Sequence, residues 1–162
     1  TSPMQIRTME AGPPPIYVVA PGRTYRNETL DARHSPVFHQ MECLAVDRGL
    51  TMADLFGTIE AFAKRLFDDD SIRTRFRSDF FPYTEPSAEV LLYLESRQSW
   101  VEMGGSGIFR PEVTLPVGIT DRVLAWGLGL ERLAMMVHNL KSIGELYYAT
   151  MPWLREEPLC RA

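Results

Sequence analysis

Cysteine is scarce and poorly spaced for chemistry: Cys43 and Cys160 are the only two in 162 residues. With no C-x-x-C and no Cys/His ligand spacing, neither a disulfide framework nor a structural zinc site is indicated, which fits a reducing compartment. Long hydrophobic runs are missing too. Nothing approaches the ~20 apolar residues of a membrane-spanning helix, and no charged-then-apolar leader opens the chain. A soluble, cytoplasmic protein with no membrane partner is therefore expected. Basic excess is also absent: 17 Lys and Arg stand against 21 Asp and Glu, a formal net charge of -4. Any nucleic acid must then be held by a local patch or by other chains. There is no G-x-G-x-x-G loop and no Walker lysine, which removes the parallel nucleotide-binding folds that use them. What remains is 45% apolar and 23% charged residues, ordinary globular composition for one domain spanning 1–162.

The richest stretch is Gly22 to Glu42, GRTYRNETLDARHSPVFHQME. Arg23 to Glu28 reads as a strand, and alternation puts Thr24, Arg26 and Glu28 on one face. After a polar turn, Thr29 to Pro36, a second strand runs from Val37 to about Asp47, with Phe38, Gln40 and Glu42 on one face. Solvent exposure would explain polar residues there but not an aromatic between them. A site that stacks a flat base, grips a phosphate with a guanidinium and holds an ammonium with a carboxylate needs all of these side chains.

Upstream, Thr1 to Met9 is a polar alternation that suits a strand edge or the end of a helix. The run Pro13 to Pro15 makes a stiff connector into Ile16 to Ala20, an apolar run that reads as a buried strand turned by Pro21 and Gly22. Downstream, Thr51 to Phe67 is the clearest helix, with Thr51 and Asp54 at capping-box spacing and Met52, Leu55, Phe56, Ile59, Phe62, Ala63 and Leu66 along one face. Asp68 to Asp70 form a solvated loop. Arg73, Arg75 and Arg77 alternate along the next strand, either guarding a sheet edge or touching phosphates. An aromatic turn, Phe80 to Pro86, leads into a strand from Ala88 to Glu95. Trp100 to Met103 is another strand, and the Gly104 to Gly107 stretch after it reads as a floor that something approaches closely. Arg122 to Gly127 is a short strand that passes through glycines into a helix from Gly129 to Val137. Arg132 in its first turn joins positive charge to unpaired N–H groups, an arrangement suited to phosphate. Ser142 and Glu145 again have capping-box spacing for a last helix through Tyr148, and Pro152 to Ala162 reads as a tail. Many strands, with a long helix after the first hairpin and a second after the last strand, agree with an α+β fold.

FHQ-x-E following YRNE, with His34 in the turn between, resembles motif 2 of class II aminoacyl-tRNA synthetases. GLGLER, Gly127 to Arg132, resembles motif 3. TSPMQIR, FFPYTEPSAEV, WVEMGGSGIFRPEV and AWGLGLERLAM resemble, in order, the catalytic α subunit of phenylalanyl-tRNA synthetases. The likeness covers nearly the whole chain and implies a class II synthetase catalytic core, an α+β fold in which an antiparallel sheet is flanked by helices, with those helices on one side. Motif 1 and a preceding His are missing from it, so a fragment or a shortened relative is expected.

The resemblance implies ATP-dependent activation of phenylalanine and transfer to tRNA(Phe), with Mg²⁺ and with a β subunit or a second copy of the chain as partner. By its residue-by-residue transfer, Arg26 and Arg132 are the catalytic residues. Arg26 binds the α-phosphate, Glu28 accepts the adenine amine, Phe38 stacks on adenine, Arg132 covers its other face, and His34 lies near the outer phosphates. Ser2, Gln5 and Gly127 lie with the bound phenylalanine, Gln40 and Glu42 hold its ammonium, Phe81 and Tyr83 clasp its ring, Ala125 closes the deep end of the ring pocket, and Glu102 helps hold Mg²⁺. Glu85 is a surface acid, and Glu131 orients or pairs an arginine. Another ligase of the same fold, or a non-catalytic relative, are the alternatives.

Overall fold

The computed structural model describes residues 1–29, 31 and 34–157. Six antiparallel strands form one sheet: β1 (Ile16–Tyr25), β2 (Val37–Val46), β3 (Thr74–Ser78), β4 (Thr84–Leu94), β5 (Ser99–Phe109) and β6 (Val123–Gly129). Their spatial order is β1-β2-β6-β5-β4-β3. Inserting the last strand beside the second is the step that matters for function, because Glu42 thereby lies opposite Gly127, and Gly127 opposite Gly105.

The helix α2 (Met52–Phe67) carries the chain from β2 to the far edge of the sheet. Its start is the expected capping box: the Thr51 hydroxyl accepts from the Asp54 N–H, and the Asp54 carboxylate accepts from the Thr51 N–H. Leu55, Ile59 and Ala63 are fully buried on its inner face against Ala45, Val90, Leu92, Met103, Leu124 and Leu128. Leu133 and Met136 of α4 (Leu130–Val137) join this core. Short helices α3 (Pro111–Thr114), α5 (Gly144–Tyr147) and α6 (Met151–Glu156) complete the chain.

Several expectations change. Of the two readings of residues 1–9 the helical one holds, and the helix is longer than a helix end: α1 (Ser2–Ala11), with Thr1 before its first residue. It packs through Met9 on Leu44, Val46, Val123 and Ala125, the face opposite α2, so helices cover both sides of the sheet and not one. Pro21 and Gly22 do not turn the chain: β1 runs through them to Tyr25. An edge strand has one row of N–H groups with no partner strand, so proline's missing donor costs little there. Arg26 and Glu28 consequently lie just past the strand, Arg26 tied back by its N–H to the Pro36 carbonyl. The strand expected from Ala88 starts four residues earlier, and the glycines after Met103 lie inside β5. The second capping box forms only by half. Glu145 accepts from the Ser142 N–H, but the Ser142 hydroxyl accepts from Gly144, and the helix is a single turn. Part of the expected tail is α6; residues 158–162, Cys160 among them, lie outside those described.

Candidate active site

A cleft of about 750 Å³ opens on the face of the sheet opposite α2, at the junction of β2, β6 and β5. It is lined by Ser2, Gln5, Arg26, Glu28, His34, Phe38, Gln40, Glu42, Phe81, Tyr83, Glu102, Ala125, Gly127 and Arg132, so every sequence-predicted site residue meets in this one place. Their order along the cleft follows from strand alternation. Phe38, Gln40 and Glu42 project from β2 on the same face, and the Arg26 guanidinium lies 5.0 Å from the centre of the Phe38 ring. Arg26 also donates to Gln40 Oε1 at 3.4 Å.

Glu42 is 6% exposed. Its Oε1 accepts from Gln40 Nε2 at 2.9 Å and from the Thr1 and Ser2 hydroxyls at 3.2 Å each. All three donors are neutral, and among the described residues no Lys, Arg or His pairs with this carboxylate. A buried carboxylate without a counter-charge costs of the order of several kcal/mol, so a cation is what this point of the cleft can take up. Gln5 lines the cleft and is buried, and it donates from Nε2 to the Cys43 carbonyl at 2.8 Å, fixing α1 to β2. The Cys43 thiol, pushed up to about 12 by burial and then by the charge of Glu42, stays neutral.

The glycines act as a floor, though for the protein's own groups first. A Cβ on Gly127 would lie 2.7 Å from Glu42 Oε2, and one on Gly105 would lie 2.7 Å from the Phe81 ring. The Phe81 and Tyr83 rings lie nearly parallel with centres 6.3 Å apart, and Tyr83 meets Phe109 edge-on at 6.2 Å. Ala125, 5% exposed, both lines the cleft and packs in the core under α1.

At the other end, Arg132 pairs with Glu102 at 2.9 Å, with side chains 36% and 48% exposed, so both heads reach solvent. Near the mouth, the His34 ring lies 2.9 Å from Asp31. Among the described residues no three His, Cys, Asp or Glu side chains cluster as metal ligands. A lone carboxylate such as Glu102 fits Mg²⁺ shared with substrate phosphates, which uses one or two protein carboxylates and several waters. The arginine row on β3 is used within the sheet: Arg73 and Arg75 cover the Tyr93 and Trp100 rings at 3.8 and 4.2 Å, and Arg77 pairs with Glu89. Glu85 is an exposed acid, paired with Arg110.

Residues 1–157 match the family model described as tRNA synthetases class II core domain (F). The chain belongs to the class II tRNA synthetase core family. As a member of that core it is 47% identical over 159 residues to the phenylalanine–tRNA ligase alpha subunit of Synechocystis sp., covering 96% of this chain and 47% of that protein. It is 42% identical over 158 residues to the protein of the same name from Rickettsia akari, covering 96% and 45%. The chain thus spans about half the length of the curated relatives it matches. Among solved structures, a pyrrolysyl tRNA synthetase from Desulfitobacterium hafniense superposes with a TM-score of 0.57 at 18% identity, over 82% of this chain and 45% of that one, a likeness of fold alone. No helix among the described residues of this class II core is long and apolar enough to cross a membrane.

His39 and Tyr147 escaped sequence reading, and Glu131 was read only as a residue that orients or pairs an arginine. Glu131 does not pair an arginine. It is buried, and its carboxylate takes the His39 N–H at 2.8 Å, the His39 ring Nδ1 at 2.8 Å and the Tyr147 hydroxyl at 2.6 Å. Burial raises its pKa, but the bonds from Tyr147 and His39 outweigh burial and leave it below the usual carboxylate range. The position beside Arg132 in GLGLER was a signal for Glu131; nothing local marked Tyr147.

Proposed function

We propose that this chain is the catalytic core of a phenylalanine–tRNA ligase, forming phenylalanyl-adenylate from phenylalanine and ATP and passing the phenylalanyl group to tRNA. The observation that carries the reading is Glu42, a buried carboxylate lacking a cation, set between a pair of parallel aromatic rings and an arginine stacked on a phenylalanine. An amino acid with an apolar aromatic side chain supplies an ammonium for the first and a ring for the second. The identity with alpha subunits supports the same choice of amino acid.

Activation needs no general base, because the attacking carboxylate of phenylalanine is already ionised at neutral pH. It attacks the α-phosphorus of ATP, the bond to the bridging oxygen breaks, and pyrophosphate leaves with the electron pair. Positioning and charge cancellation are then the protein's whole contribution. Arg26 holds the α-phosphate, where charge grows as the new bond forms. Phe38 stacks on adenine, Glu28 accepts its amine, and Arg132 covers the far face. Gln40 and Glu42, with Ser2, hold the ammonium, so the carboxylate faces Arg26. Phe81 and Tyr83 clasp the ring, at about 0.5 to 1.5 kcal/mol per ring pair beyond burial, over Ala125 and Gly127. Mg²⁺, when bound with ATP, supplies positive charge to the phosphates, and Glu102 is the residue that would hold it. His34 lies toward the outer phosphates. The name "alpha subunit" supports a second type of subunit as partner.

The test is amino-acid-dependent exchange of pyrophosphate into ATP, assayed across the twenty amino acids. Phenylalanine alone should support exchange. Exchange with a different amino acid would redirect the reading to another ligase of this fold, and ATP binding without exchange would favour a non-catalytic relative.

A further inference from the structure

The ladder between β2 and β6 ends at Gln40 opposite Gly129, because the chain turns into α4 at the next residue. One position further along β2, the His39 N–H has lost the strand that would have accepted it. Both oxygens of Glu131, from the first turn of α4, take that N–H at 2.8 Å. A side chain thus continues the sheet by one rung. The His39 ring adds a second bond to Glu131 Oε1 at 2.8 Å. Since an ionised carboxylate only accepts, Nδ1 carries the proton there. Tyr147 of α5 adds a third bond at 2.6 Å, and its hydroxyl oxygen also lies 3.2 Å from the Val37 carbonyl. The single phenolic proton goes to the carboxylate, the nearer and stronger acceptor.

His39 points away from the cleft, but its two neighbours point into it. Phe38 lies beneath Arg26, and Gln40 contacts both Arg26 and Glu42. With no β6 partner beyond Gln40, the Phe38 end of β2 is held on that side by Glu131. The Glu42 end is held by the ladder itself, opposite Gly127. We propose that Glu131 is a positioning residue that sets the nucleotide side of the cleft through the β2 backbone at His39, with Tyr147 holding the carboxylate in place. This rests on the reading of Phe38 and Arg26 as the nucleotide end and Glu42 as the amino-acid end. Glu131 also lines the cleft, but its carboxylate is engaged by His39 and Tyr147, so the signature of a positioning role is a split: nucleotide affinity falls while amino-acid affinity holds.

The experiment is calorimetric titration of the whole chain with ATP and, separately, with phenylalanine, together with hydrogen exchange at the His39 amide. Wild type is compared with Glu131→Ala, Glu131→Gln and the milder Tyr147→Phe. Losing a buried charge-assisted bond of this type should weaken ATP binding roughly tenfold in Glu131→Ala. Glu131→Gln should recover part of that loss, since its amide oxygen still accepts. Phenylalanine binding should change less than about twofold, well below the loss of one such bond, and His39 protection should fall in step with ATP affinity. Tyr147→Phe should reproduce the split at smaller size, which keeps the test decisive if Glu131→Ala fails to fold. Equal losses for both ligands, or ATP affinity unchanged while His39 protection is lost, would overturn the positioning role and leave the functional reading intact. A wild-type chain that binds no ATP would overturn both.

Discussion

At the scale of the residue, this site depends on placing charge where nothing neutralises it and on leaving side chains out where rings must lie. Arg26 is the clearest case of the first. It stacks on Phe38 and reaches Gln40, but among the described residues it has no acidic partner, so its charge stays available to a phosphate. Its contribution grows as the α-phosphate charge grows, so Arg26→Ala should lower kcat/KM for pyrophosphate exchange by ~2 to 4 kcal/mol, comparable with losing one strong oxyanion donor. Exchange at the wild-type rate would remove Arg26 from the mechanism. Ala125 illustrates the second. It lines the cleft and also packs under α1, and a role as floor of a ring pocket separates from a core role under mutation. If it is the pocket floor, Ala125→Gly admits para-chloro-phenylalanine while phenylalanine loses roughly 1 kcal/mol of fit. A ratio of exchange rates for the two amino acids unchanged by the substitution would assign Ala125 to the core alone.

At the scale of the element, the decisive feature is how motif 2 and motif 3 are joined. Alternation along Val37 to Val46 was readable from sequence, since a strand's period of two fixes which residues share a face. The neighbour of that strand was not, because β6 follows 77 residues after β2 ends and only tertiary pairing brings Gly127 beside Glu42. Pro21 misled for a related reason: proline reads as a turn until the strand is known to be an edge. The bond from α5 spans only 16 residues, yet no motif marks it. Tyr147 has a ring 46% exposed, yet its hydroxyl is tied to Glu131; loss of solvent there, then the bond and charge of Glu131, push its pKa up to about 12. A folded pKa above the unfolded value of about 10 gives stability that is present below pH ~10 and lost as pH rises toward about 12. Glu131, held below its ordinary value, works in the opposite direction, its share being present above pH ~4 and lost in acid. His39 from β2 and Tyr147 from α5 face Glu131, and the charge of Arg23 on β1 reaches Tyr147, favouring its ionised form. Urea midpoints followed from pH 8 to 12 should therefore fall more steeply in wild type than in Tyr147→Phe above pH ~10. Parallel curves would show that the hydroxyl contributes nothing to holding α5 on the sheet.

At the scale of the whole molecule, one sheet carries a structural face and a chemical face. α2 fills the first with Leu55, Ile59 and Ala63, and this was legible because a helix's apolar spacing states which side is inward. The second face is closed at one end by α1, which the short polar alternation of residues 1–9 left open between a strand edge and the end of a helix. That helix, with Thr1 before it, brings two of the three hydroxyl and amide donors to Glu42 and the Gln5 bond to β2. On the proposed reading, this buried carboxylate waits for the ammonium of phenylalanine. The direct measurement is calorimetry of the chain with a non-hydrolysable phenylalanyl-adenylate analogue, in wild type and in Glu42→Gln, which keeps the shape and removes the charge. Wild type should bind, and Glu42→Gln should bind roughly 100-fold more weakly, as expected when one partner of a buried charged pair is lost. Equal binding by the two proteins, or none by wild type, would contradict the claim.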